Sequence, residues 1–132
     1  MGYSFEFDAA NNTIRCSLEG RVTEEGAMSV FSSFVRFNAS HPPCRGIVDF
    51  SKVTSEDLSN KVVRKLASMP VFSSAQLMHV FVARRDVDHS LVRMFSMLIE
   101  EKRPNLGVVR TMDEAFRLLG IDSPQFSRTS ID

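Results

Sequence analysis

The most constraining stretch is Leu77-Met78-His79-Val80-Phe81-Val82-Ala83, an apolar run with no alternation. A strand apolar on both sides must be covered on both sides, as happens at the centre of a parallel sheet. Gly46-Ile47-Val48-Asp49-Phe50 has the same character. The opening of the chain is different. Tyr3-Ser4-Phe5-Glu6-Phe7-Asp8 and Thr13-Ile14-Arg15-Cys16-Ser17-Leu18-Glu19 alternate strictly. They read as a β-hairpin with one wet face, turning at Ala9-Ala10-Asn11-Asn12.

Helix signals fall between the strands. Thr23 followed by Glu24 and Glu25 supplies a hydroxyl cap and acids at the positive helix end, with the helix running to about Asn38. A second helix is expected from about Glu56 to Ser68 and a third from Asp86. Leu106-Gly107-Val108-Val109-Arg110 reads as the last strand. Thr111-Met112-Asp113-Glu114 then forms a capping box, and Gly120 stops the final helix. The order β-β-α-β-α-β-α-β-α implies a single α/β domain over residues 1–121, with a mixed, mostly parallel sheet. If each crossover steps the same way, all helices lie on one sheet face. Helices on both faces is the alternative. Residues 122–132, small and polar, are expected to fray as a flexible C-terminal tail.

Sixteen basic and sixteen acidic residues balance, which argues against nucleic acid as a partner. No apolar run is long enough to span a membrane. The two cysteines, Cys16 and Cys44, are far apart and form no CxxC pair. With no basic-then-apolar leader at the start, they imply a reduced, cytoplasmic chain. Cys44, His41 and Asp49 are the right types for a nucleophile, base and orienter, but no motif places them together. Asp86, Asp88 and His89 resemble metal ligands yet read better as a helix start. The expectation is no catalytic machinery, no cofactor and no metal.

Leu18-Glu19-Gly20-Arg21-Val22-Thr23, Ile47-Val48-Asp49-Phe50-Ser51-Lys52-Val53 and the closing Thr111–Gly120 segment resemble a STAS-type domain of the SpoIIAA-like, anti-sigma-factor-antagonist-like group. The resemblance implies a non-enzymatic protein-interaction or regulatory module. It also places the family's Asp-Ser-Ser-Gly phosphoswitch at Asp57-Leu58-Ser59-Asn60. The aspartate and the acceptor serine, Ser59, remain, while Leu58 and Asn60 replace serine and glycine. Partner contact is therefore expected around Asp49, Ser55, Asp57 and Ser59. The bland alternatives are that Ser59 caps a helix and that Asp49 accepts amides from Ser51 to Val53.

Seven Met and eleven Phe give a soft, adaptable apolar supply. Phe37, Val92, Met97 and Ile99 fall off the expected core faces. They mark a candidate apolar patch, either for a second copy in a homodimer or for a lipid-like ligand. Binding of such an apolar small molecule is the alternative to the protein-interaction reading.

Overall fold

The computed structural model describes residues 1–69 and 77–130. Within them lie six strands and four helices. The strands are β1 (Gly2–Asp8), β2 (Thr13–Val22), β3 (Arg45–Glu56), β4 (His79–Val82), β5 (Leu106–Val109) and β6 (Ser127–Arg128). The helices are α1 (Glu24–Ser40), α2 (Asn60–Ala67), α3 (Asp86–Leu98) and α4 (Met112–Leu119). One sheet runs β5-β4-β3-β2-β1-β6. β2 to β5 are parallel, and β1 is antiparallel to both its neighbours. The α/β class and the mixed sheet read from the sequence are therefore correct.

The helix caps form where the sequence placed them. Thr23 Oγ1 accepts from the Gly26 amide at 3.1 Å. Thr111 Oγ1 accepts from the Glu114 amide at 3.2 Å and donates to Glu114 Oε1 at 3.0 Å. Gly120 closes α4 in the left-handed region at φ 69°. The end of β2 runs differently from the sequence reading. The alternating run to Glu19 was expected to break at Gly20; instead Gly20, at φ 78°, sits in a register shift, and the strand continues to Val22. Likewise β3 continues to Glu56, and α2 begins only at Asn60. β4 pairs with β3 only as far as Asp49, so the far ends of β2 and β3 extend beyond it as a two-stranded ribbon.

Two apolar layers sandwich the sheet. Phe34 of α1, Val63 of α2 and Phe95 of α3 share one core with Cys16, Val48 and Phe81. Alternate residues of the same strands, Ile47, Val80 and Val82, pack instead with Ala115 and Leu119 of α4. Thus α1, α2 and α3 cover one face and α4 the other, which corrects the expectation of a single helical face. β5 is the sheet edge and leaves no further strand to step onto, so the chain turns under the sheet.

The reading of residues 122–132 as a frayed tail is also corrected. The described part, to residue 130, returns beneath the sheet to β1. The Gln125 amide donates to Asp8 Oδ2 at 2.8 Å, and the Thr129 amide donates to the Phe5 carbonyl at 3.0 Å. Asp8 is fully buried, which opposes its ionisation. Donation from Gln125, Asn11 and Ala10 outweighs the burial and holds its pKa below the ordinary value. The Arg15 guanidinium lies 4.1 Å from the centre of the Phe126 ring.

Candidate functional site

The helices α1, α2 and α3 all start at the carboxyl ends of parallel strands, where open α/β sheets gather functional groups. A groove of about 1030 Å³ runs along α1 from Thr23 to Arg36 and reaches the start of α2. Its lining includes Glu24, Ser32 and Arg36 from α1, Tyr3 from β1, and Asp57 and Ser59 from the approach to α2. Two of the four residues singled out from the sequence therefore share its wall.

Ser59 is the exposed N-cap of α2, and its Oγ accepts from the Val62 amide at 3.3 Å. This is the capping geometry weighed from the sequence. Asp57 meets Arg21 of β2 at 2.9 Å, both side chains being mostly exposed, and its amide donates to the Val22 carbonyl at 2.7 Å. Strand and helix start are thereby stitched together. Ser55 is paired with Arg21 in the β2–β3 ladder and is not among the groove's lining residues. Asp49 does not end its strand; it lies in the middle of β3 and is buried, accepting from the Ser51 amide at 2.9 Å. It makes the local turn contact expected of the bland reading.

The apolar patch is corrected. Phe37, Val92 and Ile99 are only 4%, 5% and 4% exposed, whereas Met97 is 66% exposed. Phe37 is taken up by Phe7 of β1 and stacks on the His41 ring at 4.1 Å. Ile99 caps α3, where the chain has left helical geometry, so its side chain no longer follows the helical pattern. The exposed apolar side chains of α3 are Val87, Met97 and Leu98.

Cys44 is buried, and burial pushes its thiol pKa up, the reverse of what a nucleophile needs. Burial and the neighbouring Asp49 carry Cys16 up to about 12. His79 is a core histidine, as its apolar strand suggested. Its Nδ1 lies 2.7 Å from Arg103 Nη2 and 3.1 Å from the Leu77 carbonyl. Burial and the Arg103 charge depress its pKa to about 3, leaving a neutral ring. Among the described residues, no group of three or more His, Cys, Asp and Glu could hold a metal ion. Nor is any helix there long and apolar enough to cross a membrane.

A second cluster was missed in the sequence. Glu56, the last residue of β3, meets Asp88 in the first turn of α3. Arg85, the residue before α3, lies 3.7 Å from Asp88. The sequence signal misled because Glu56 reads as a helix start, Asp88 as a first-turn acid and Arg85 as a solvated loop. Nothing local reveals that these three side chains converge. No family model and no curated protein matches the chain.

Proposed function

We propose that this chain is a cytoplasmic, non-enzymatic interaction module of STAS type, receiving a protein partner along the α1–α2 groove. The carrying observation is that Asp57 and Ser59, the two residues the resemblance retains from the phosphoswitch, both line that groove. Its polar wall of Glu24, Ser32 and Arg36 suits a protein surface better than a lipid-like molecule. A phosphate on Ser59 would place about two negative charges at the start of α2, beside Asp57, and change the groove's complementarity. The hairpin followed by three β-α crossovers supports the STAS reading at the level of architecture. Self-association, where it occurs, would use the exposed apolar residues of α3.

The test compares Ser59→Asp, Asp57→Ala and the wild type in quantified capture of partners from host lysate. Loss of the same partner in both variants, with folding intact by circular dichroism, supports the groove. Unchanged partners in both would overturn it.

A further inference from the structure

We propose that Glu56 and Asp88 share one proton, and that this proton is a pH-sensitive latch closing the junction between the end of β3 and the first turn of α3. Asp88 is 0% exposed, and neither of its carboxylate oxygens has a hydrogen-bond donor. Glu56 Oε2 is buried and lacks a donor too. The nearby cation is Arg85, whose Nη1 stands 3.7 Å from Asp88 Oδ2, too far for a hydrogen bond, and is itself without a partner. Two ionised carboxylates in contact here would leave buried acceptors unmatched and repel each other. A single proton between them supplies the missing donor and removes one charge.

The position of the proton follows from the surroundings. Asp88 sits in the first turn of α3, where the positive end of the helix dipole favours an anion. The proton therefore resides on Glu56. Its bond to Asp88, burial and the Asp88 charge raise the Glu56 pKa to about 7, against a smaller opposing pull from Arg85.

The other groups facing the junction do not replace the proton. A groove of about 490 Å³ opens beside Glu56, lined on the α2 side by Leu58 and the neutral Asn60. On the α3 side it is lined by Asp86, Ser90, Leu91 and Met94; neither the Ser90 hydroxyl nor the Asn60 amide gives a hydrogen bond to the buried oxygens of Glu56 and Asp88, which lack donors. Asp86 is engaged by Arg110, just past β5, at 2.6 Å. Apolar Leu58, Leu91 and Met94 offer no hydrogen bonds to a second charge. Near neutral pH the proton leaves, the two carboxylates repel, and the first turn of α3 separates from β3. The latch does not depend on the partner groove.

The test uses the full chain with ¹³C-labelled carboxyl groups, followed by NMR from pH 4 to 9. The Glu56 carboxyl should titrate near neutrality, with Asp88 showing a step at the same pH. Amide exchange of His89 to Leu91, corrected for intrinsic chemistry, should quicken by about tenfold or more between pH 6 and pH 8. In Glu56→Gln, a neutral donor of the same shape, that increase should fall to within about twofold. Titration of both carboxyls below pH 5 would overturn the proposal, as would an unchanged exchange step in the variant. The wild-type titration decides the matter alone if the variant does not fold.

Discussion

Gly46→Ala probes the pairing of β3 with β4 most sharply. Gly46 is directly opposite His79 in the parallel ladder. A Cβ on Gly46 would stand 2.5 Å from His79 Cδ2 and 2.8 Å from Nε2. Unstrained contacts need roughly 3.5 Å or more. The ring cannot swing aside freely, because it is buried and its Nδ1 is held by Arg103 at 2.7 Å. Overpacking of this kind costs about 1–3 kcal/mol. Unfolding entropy near 2.1 cal/mol/K per residue gives about 0.28 kcal/mol/K for a chain of this length, so each kcal/mol lowers Tm by about 4 °C. A fall of about 4–11 °C is expected by differential scanning calorimetry. The decisive comparison repeats the change in a His79→Ala background. There the added methyl has room, and its cost should vanish or reverse slightly, since alanine suits a strand better than glycine. An equal cost in both backgrounds would refute the clash with the imidazole.

Three further outcomes follow from the packing and the charges. Ile99→Ala should cost about 2–5 kcal/mol in urea unfolding while Met97→Ser stays within about 0.5 kcal/mol, reversing the assumption that both belong to one exposed patch. Replacing Asp8 with Ala should cost about 1–3 kcal/mol by the same method and speed exchange of the Gln125 and Thr129 amides, because the returning segment loses its buried acceptor. Glu56 is protonated in both states below its ordinary pKa of 4.5, so its stabilisation is complete there; as pH rises the unfolded chain releases the proton first, and stability falls until about pH 7. For this partly exposed group the wild type should lose about 1–2 kcal/mol relative to Glu56→Gln between pH 4.5 and pH 7.5, read from paired denaturant titrations.

The hairpin, the buried parallel strands and the capped helices were legible because each leaves a local signature. Phe5 and Ile14 alternate with polar neighbours, and Thr23 and Thr111 sit at fixed offsets from the amides they cap. The side of the sheet taken by α4 was not legible, since an amphipathic helix specifies that it buries a face but not against which layer. The return of residues 122–130 was hidden for a related reason. It depends on backbone amides reaching Asp8 and Phe5, and backbone amides carry no sequence signal. Phe37 was misplaced at the margin of the α1 stripe, yet it joins Val30 and Phe34, seven and three residues earlier, in the core, with Phe7 and His41 beside it. At the candidate site, Asp57 and Ser59 came from a motif resemblance, whereas the opposing wall of α1 needed the fold. The Glu56–Asp88 contact joins residues far apart in the chain, and each alone has an ordinary local explanation.

The docking of a protein partner along α1 and α2 is tested most directly by placing a photo-crosslinking amino acid at Ser32, in the groove, and at Arg117, on α4 beneath the opposite sheet face. After irradiation in host cells, the adducts are identified by mass spectrometry. One protein should be captured reproducibly from Ser32 and not from Arg117, and its capture should fall when Ser59→Asp is added. Equal capture of the same proteins from both positions, or capture from Arg117 alone, would contradict the account.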